Sequence, residues 1–282
     1  MAVKNLKDCV ICVVGGGVVG TATADVFRDY CRELYVWDID EKKQDMHEMR
    51  IEGALRLSHI VFLCLPETEL DNWCGKYLPL QYNLPEDVYR NTHFVIRSTC
   101  PVGTTSFLQR KYSLPHVYHW PEFLSERTAE HDSKNPSTIM LGRPDAWKMH
   151  PTYNLLLSIL YQRFPTIPIS PTSSEESEMA KIAQNAFFCV KLSFFNELNL
   201  LCERMGVDYK SVVRLMCADY RISEHHTQVP GPDGKYGYGG KCLEKDLRQF
   251  VAMCAKEKLV SVVGEASLRA NKEHRTRKVK GK

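Results

Sequence analysis

Short, continuous apolar runs alternate with amphipathic or polar stretches along the first 170 residues. Runs of this kind are typical of strands buried on both faces of a parallel sheet. Six strands are predicted, at residues 9–14, 34–37, 60–65, 93–97, 117–120 and 138–141. Between the first three strands, residues 18–30 and 41–50 are predicted to be helical. The alternation predicts right-handed βαβ units and a doubly wound parallel sheet.

The pattern changes to long helices after about residue 170. Residues 173–176 place carboxylates in the first turn of a helix that runs to about Met205 and ends at Gly206. A second helix is predicted at 209–218, and another begins near Cys242 after a loop rich in Gly and Pro. We therefore predict a sheet domain at 1–170, a mainly helical domain at 171–268 and a basic polar tail at 269–282.

Charge and hydropathy narrow the function classes. The 282 residues include 37 Lys and Arg against 34 Asp and Glu, and the resulting net charge of +3 is too small to indicate a nucleic-acid partner. The sequence contains no apolar run of 18 residues and no signal-peptide pattern at its start. We expect a cytoplasmic protein with no membrane or nucleic-acid partner.

Eleven cysteines are scattered along the chain, and their odd number argues against a full disulfide framework. Cys9 and Cys12 form a C-x-x-C pair, which can bind zinc or act in redox chemistry. However, Cys12 lies inside an apolar strand, and no second pair follows at a zinc-binding spacing. We expect no metal site and a reducing compartment.

A glycine-rich turn follows the first strand and opens the first helix. In Gly15-x-Gly17-x-x-Gly20, the first glycine permits a tight turn, the second lets the backbone approach a pyrophosphate, and the third allows close helix–strand packing. Val18 and Val19 begin the helix, and their backbone N–H groups would face the phosphates. The context predicts a Rossmann-like domain, with a glycine turn in another doubly wound fold as the alternative.

An acidic residue stands where the adenosine ribose of a dinucleotide would lie. Asp38 ends the second strand, 18 residues after Gly20, and is expected to accept hydrogen bonds from the ribose hydroxyls. Asp40 adds a second negative charge. Both would repel a 2′-phosphate, so NAD is favoured over NADP.

Further polar segments follow the fourth and fifth strands, where ligands bind in open α/β sheets. These two segments are residues 98–105 and 121–126. Three later segments, 181–185, 219–222 and 237–246, are also rich in polar residues or glycine. Lys181 and Asn185 are four residues apart and share a helix face, which suits an oxyanion site. Cys242, near a helix start, lies where the helix dipole favours a thiolate.

Taken together and in this order, the segments from Gly15 to Asp246 resemble the UDP-glucose/GDP-mannose dehydrogenase family. The resemblance implies a four-electron oxidation of a sugar primary alcohol to a carboxylate with two NAD, by a homodimer. UDP-glucose is the favoured substrate. GDP-mannose or a UDP-N-acetylhexosamine is the alternative, because no specificity residue separates them.

The resemblance also implies roles for individual residues. Cys242 resembles the nucleophile that captures the aldehyde as a thiohemiacetal and later as a thioester, while Lys181 and Asn185 resemble the pair that stabilises oxyanions at the sugar C6. Asp246, with Thr99, would order a catalytic water. Glu126 would take part in hydrolysis. Cofactor contacts are implied for Gly15, Gly17, Val18, Val19, Gly20, Asp38, Thr99, Glu126 and Lys245. Substrate contacts are implied for Glu122, Phe123, Leu124, Lys181, Asn185, Arg221, Tyr238 and Gly239.

Several alternatives stay open at this stage. Full-length members of the family carry a third, C-terminal domain, and this chain resembles a short form without it. A non-catalytic nucleotide-binding relative is a second function class, and a two-electron hydroxyacid dehydrogenase, which would not need Cys242, is a third. Arg221 could instead form an ion pair with Asp219. The Phe-rich stripe at residues 187–195 is expected to pack in the core or in a dimer interface.

Overall fold

The computed structural model describes residues 5–46, 49–78, 91–125, 127–144, 151–240 and 242–277. The chain divides into two compact units, Met1–Met179 and Ala180–Lys282. The predicted domain limits at residues 170 and 268 stay a prediction.

Seven described strands form one sheet in the first unit. They are β1 (Val10–Val14), β2 (Glu33–Trp37), β3 (Ile60–Leu63), β4 (His93–Ile96), β5 (Val117–His119), β6 (Ile139–Arg143) and β7 (Ile169–Ser173). The strand order is β2-β1-β3-β4-β5-β6-β7, and every neighbouring pair is parallel except β5 and β6. All six predicted strands are confirmed.

Helices connect the strands and make up most of the second unit. Those described in the first part of the chain are α1 (Val18–Phe27), α2 (Ile51–Leu57), α3 (Glu67–Tyr77), α4 (Thr104–Lys111), α5 (Ala129–Lys134) and α6 (Pro151–Arg163). The later helices are α7 (Ser174–Met205), α8 (Tyr209–Met216), α9 (Cys242–Lys256) and α10 (Val262–Thr276). The predicted helix starts near residues 174 and 242 are confirmed, and much of the predicted tail is helical.

Both faces of the sheet are covered, and all five residues of β1 are buried. Ile11 and Val13 face an apolar cluster that includes side chains of α1 and α6. Cys12 and Val14 face the opposite cluster, built with α2, α3 and α4. This two-sided burial explains why β1 is continuously apolar, and it confirms the predicted doubly wound, Rossmann-like architecture.

The helix predicted at residues 41–50 is wrong. Among the described residues of this segment, only Glu41–Lys43 is helical, as a short 3-10 helix begun by Asp40, whose side chain accepts the Lys42 N–H. Asp45 then forms a bridge with Val36 of β2 through backbone hydrogen bonds of 2.8 and 3.2 Å. That pairing needs extended backbone, which a helix through the segment would destroy.

Strand β7 is not visible in the apolar pattern because its sequence, Ile-Ser-Pro-Thr-Ser, is mostly polar. It pairs with β6 at the edge of the sheet, where one side of the strand needs no partner. Pro171 is therefore tolerated, since an edge strand can do without one ladder N–H. Only the long-range pairing makes this segment a strand.

Three histidines lie at the amino ends of adjacent strands: His59 before β3, His93 at the start of β4 and His116 before β5. The His93 side chain is buried, and its ring stacks on His116 with centroids 5.0 Å apart. Burial, together with His116 and His59, lowers the pKa of His93 to about 3. His93 is therefore neutral in the folded protein at pH values where it is protonated in the unfolded chain.

We expect the free energy of unfolding to fall as the pH drops below about 6.5, because the unfolded chain binds a proton that folded His93 cannot. Since each pH unit corresponds to about 1.4 kcal/mol, the loss at pH 5 should be about 2 kcal/mol. Urea unfolding across this pH range measures it. His93→Phe, which keeps a stacked ring that does not titrate, should show a flatter profile, whereas His131→Gln at an exposed position should keep the wild-type slope. Equal slopes for wild type and His93→Phe would contradict the prediction.

Candidate functional site

The glycine-rich turn after β1 has the geometry that its sequence predicts. Gly15 has a φ of +101°, and a Cβ there would lie 2.5 Å from the Cys64 carbonyl oxygen. A Cβ on Gly20 would lie 1.6 Å from the Gly15 carbonyl oxygen. Gly17 differs, because a Cβ there would meet no atom within 4 Å. Two of the glycines thus allow tight packing, and the third leaves an open approach to the backbone.

Helix α1 begins directly after this turn. Its N-cap is Gly17, which has no side chain to accept a hydrogen bond from the first turn. The N–H groups of Val18, Val19 and Gly20 lie in that first turn, where an α-helix offers them no internal partner. The helix start therefore combines unfilled donors with the positive end of a dipole, which suits a pyrophosphate.

Asp38 follows β2 and faces the turn. One carboxylate oxygen accepts the Gly16 N–H at 2.6 Å, and the other accepts the Asp40 N–H at 2.9 Å. The Asp38 side chain is half-buried, so part of it faces solvent beside the turn. A carboxylate held at this point fits the predicted ribose contact and adds a link to the phosphate-facing loop that spacing alone does not indicate.

The segment after β4 contains Thr99, which is half-buried. The Ser98 hydroxyl donates to the Leu65 carbonyl at 2.5 Å. Glu178, fully buried at the start of α7, accepts the N–H groups of Gly103 at 2.6 Å and of Thr105 at 2.8 Å. Glu178 thus caps α4 from a distant part of the chain and holds the loop that carries Thr99, a function that its sequence position does not reveal.

A cavity of about 210 Å³ lies beside the segment that follows β5, and Glu122, Phe123 and Leu124 line it. Arg97 also lines it, and its guanidinium lies 3.9 Å from the centroid of the Trp120 ring. Burial lowers the pKa of Arg97 to about 10, so the side chain keeps its positive charge at neutral pH. The predicted Glu126 lies outside the described residues.

In the second unit, five predicted residues lie on α7 and at the start of α9. Lys181 and Asn185 of α7 are buried, and Asn185 Nδ2 donates to a carboxylate oxygen of Asp246 at 2.6 Å. Lys245 forms an ion pair of 2.8 Å with the other oxygen of Asp246, which is fully buried. Cys242 is exposed at the first residue of α9, one turn before Asp246. An exposed thiol therefore lies at a helix start close to a buried, partnered carboxylate.

Two predicted substrate residues, Tyr238 and Gly239, lie in the loop that precedes α9. The Tyr238 side chain is buried in the apolar cluster of this unit, and its hydroxyl lies 3.3 Å from Ser267 Oγ. A Cβ on Gly239 would lie 2.9 Å from the Arg275 guanidinium. The assignment of both residues as substrate contacts stays a prediction.

Arg221 is exposed and binds Asp219 of its own loop. Its Nε lies 2.9 and 3.0 Å from the two carboxylate oxygens. Asp219 raises the pKa of Arg221, and Arg221 lowers the pKa of Asp219. The ion pair that the sequence offered as an alternative is present, and the predicted contact with a neighbouring subunit's substrate stays a prediction.

Two negative findings apply to the part of the chain that the structure describes. It brings together no group of three or more His, Cys, Asp and Glu side chains that could hold a metal ion. It also contains no helix that is both long enough and apolar enough to cross a membrane.

Comparison with known proteins agrees with these features. Residues 175–273 match the UDP-glucose/GDP-mannose dehydrogenase family, central domain. The chain is 26% identical over 287 residues to UDP-glucose 6-dehydrogenase of Gallus gallus, covering 86% of this chain and 57% of that protein. It is 28% identical over 272 residues to UDP-glucose 6-dehydrogenase of Campylobacter jejuni, covering 86% of this chain and 67% of that protein.

A solved structure of a UDP-glucose dehydrogenase from Pyrobaculum islandicum has the same fold, with a TM-score of 0.74 at 23% identity, covering 97% of this chain and 70% of that one. The chain thus spans 57% of the length of the chicken protein. The resemblance predicted from the motifs is confirmed. The chain is related to the UDP-glucose/GDP-mannose dehydrogenase family, whose central domain its residues 175–273 match.

Proposed function

We propose that this chain catalyses the NAD-dependent, four-electron oxidation of UDP-glucose to UDP-glucuronate. The observation that carries the proposal is the arrangement around the start of α9, where Cys242 is exposed one turn before the buried carboxylate of Asp246. Asn185 holds that carboxylate with a hydrogen bond of 2.6 Å. A protein that only bound a nucleotide would need neither the nucleophile nor these partners.

The first unit has the features that NAD requires. The open backbone at Gly17 and the start of α1 would hold the pyrophosphate, and Asp38 would hold the adenosine ribose. When bound, NAD supplies the hydride acceptor for each of the two oxidation steps. The negative charges of Asp38 and Asp40 support NAD over NADP.

The second unit supplies the groups for covalent capture. In the proposed reaction, the Cys242 sulfur adds to the aldehyde carbon, and the carbonyl oxygen takes up a proton to give a thiohemiacetal. Lys181 and Asn185 would stabilise the developing oxyanion. Loss of a hydride and a proton leaves a thioester, which keeps the intermediate bound between the two oxidations.

Hydrolysis then releases the product. Water attacks the thioester carbon, the C–S bond breaks, and Cys242 recovers its proton as the carboxylate leaves. The family resemblance assigns the ordering of this water to Asp246 and Thr99 and a part in the hydrolysis to Glu126. The hydrogen bond to Asn185 and the ion pair to Lys245 hold the Asp246 carboxylate ready to accept from a water.

We further propose a homodimer. Along α7, the side chains of Phe187, Phe194, Leu201 and Met205 are exposed and recur at intervals of seven and four residues. Apolar side chains at this spacing form one stripe on a helix, and an exposed stripe of this kind suits a second helix. Phe195, in contrast, is buried, so only part of the Phe-rich segment belongs to the core.

The test is NADH formation at 340 nm with excess NAD and limiting sugar nucleotide. We expect two NADH for each UDP-glucose consumed. Equal turnover of GDP-mannose or a UDP-N-acetylhexosamine, with UDP-glucose inert, would retain the chemistry and replace the substrate. One NADH per substrate would favour a two-electron dehydrogenase. Absence of NADH with every sugar nucleotide, despite measurable NAD binding, would favour a non-catalytic relative.

A further inference from the structure

Two buried asparagines fasten the loop that leads to Cys242. Asn196 of α7 accepts the Gly237 N–H at 2.8 Å. Asn271 of α10 accepts the Tyr238 N–H at 2.8 Å and donates to the Tyr238 carbonyl at 3.1 Å. Both asparagine side chains are almost completely buried. Backbone groups of two successive loop residues are therefore satisfied by side chains of two different helices.

The Asn271 contact resembles strand pairing, because one side-chain amide satisfies both the donor and the acceptor of a single residue. Gly237 makes this approach possible: its φ is +73°, and a Cβ there would lie 2.4 Å from Asn271 Oδ1. Removing the amide would leave two buried backbone groups of Tyr238 unpaired, which is costly enough to move the loop.

The next turn of α10 extends the same contact. Arg275 forms an ion pair of 2.6 Å with Asp233, at the far end of the loop. Its guanidinium also lies over Gly239, where a Cβ would come within 2.9 Å. Helix α10 thus contacts three consecutive loop residues, Gly237 to Gly239, and α9 with Cys242 begins three residues later.

From these contacts we propose that Asn271 is a positioning residue for Cys242. By fixing the loop backbone, it holds the first turn of α9 and therefore the thiol in the place needed for attack on the aldehyde. This inference rests on the proposed function and adds to it a residue of the segment 269–282, which the sequence predicted to be a basic polar tail. Asn271 acts through the loop backbone rather than on the substrate.

The first test compares Asn271→Ala with Asn199→Ala. Asn199 is a matched control because it is a buried asparagine of the same unit, and its amide donates to Glu203 at 3.0 Å. For Asn271→Ala, we expect kcat to fall about 10–100-fold, while the KM for NAD stays unchanged, because a displaced nucleophile slows chemistry without altering the cofactor site. Asn199→Ala should keep the wild-type kcat, even at a comparable loss of thermal stability.

If Asn271→Ala does not fold, Asn271→Asp carries the test, with Asn199→Asp as its control. The carboxylate keeps the acceptor for the Tyr238 N–H, loses the donor to the Tyr238 carbonyl and places a second acceptor oxygen opposite that carbonyl. We expect kcat to fall in this variant as well. A wild-type kcat in the folded Asn271 variant would overturn the inference.

Amide hydrogen exchange tests the loop contact without turnover. In Asn271→Ala or Asn271→Asp, exchange at Tyr238 should accelerate about tenfold or more, because local opening of the loop becomes easier. Unchanged exchange would overturn the inference whether or not NADH is formed. If the wild-type protein forms no NADH but the variant still accelerates exchange, the proposed function fails and the structural part of the inference, a loop held by Asn271, is supported.

Discussion

A Cys242→Ala variant should lose NADH formation from UDP-glucose by a factor on the order of 10³ or more, because the proposed covalent intermediate can no longer form. The stoichiometry of any remaining activity should also fall below two NADH per sugar. NAD binding should stay intact, since the predicted cofactor contacts are built mainly on the glycine turn and Asp38. Initial rates, end-point absorbance and NAD titration of the same preparation measure all three.

Cys254→Ala is the matched control, because Cys254 lies on the same helix as Cys242 and is only half-buried. It should keep both NADH molecules and the wild-type rate. If Cys242→Ala still formed two NADH per UDP-glucose at the wild-type rate, covalent capture at sulfur would be excluded. If the variant kept the full rate but formed one NADH per UDP-glucose, a two-electron dehydrogenase would be favoured instead.

Gly20→Ala should destabilise the first unit strongly, by about 3 kcal/mol or more, because overpacking against rigid backbone costs more than against a movable side chain. The added Cβ would lie 1.6 Å from the Gly15 carbonyl oxygen, so either α1 or the turn must move. Urea unfolding without NAD measures the loss. NAD affinity should fall as well, since the same movement displaces the start of α1.

Gly17→Ala should weaken NAD binding without lowering the stability of the folded protein. A Cβ at Gly17 meets no atom within 4 Å and its φ is −76°, so the folded protein should be about as stable as the wild type. The methyl group occupies the space through which a pyrophosphate would approach, and the Kd for NAD should rise about tenfold or more. Unchanged NAD affinity in Gly17→Ala would place the phosphates elsewhere.

The features predictable from sequence are those in which local pattern and tertiary environment agree. β1 is apolar throughout because both of its faces are buried, and the glycine turn after it needs its residues for local backbone reasons. β7 was not predicted, because its strand conformation comes from pairing with β6 and not from a local apolar pattern. The helix predicted at 41–50 failed because Asp45 pairs with Val36, a contact that no local pattern indicates.

The candidate site divides in the same way. The helical spacing of Lys181 and Asn185 and the position of Cys242 at a helix start were predictable because each depends on one helix. The functions assigned here to Glu178 and Asn271 were not, since each acts on backbone far away in the chain. Tyr238 was expected to contact the substrate, whereas its side chain is buried in the apolar cluster of the second unit, with its hydroxyl 3.3 Å from Ser267 Oγ of α10.

The distribution of cysteines determines how the protein would respond to electrophiles and oxidants. Burial raises the pKa of Cys9, Cys12, Cys74 and Cys189 to about 12, so these groups stay protonated at neutral pH and react slowly. Of the eleven cysteines, which all lie in the described residues, Cys242 alone is exposed, whereas Cys31, Cys64, Cys217 and Cys254 are half-buried. A mild alkylating reagent should therefore mark Cys242 first, and the same exposure makes the proposed nucleophile the first thiol to be lost to peroxide.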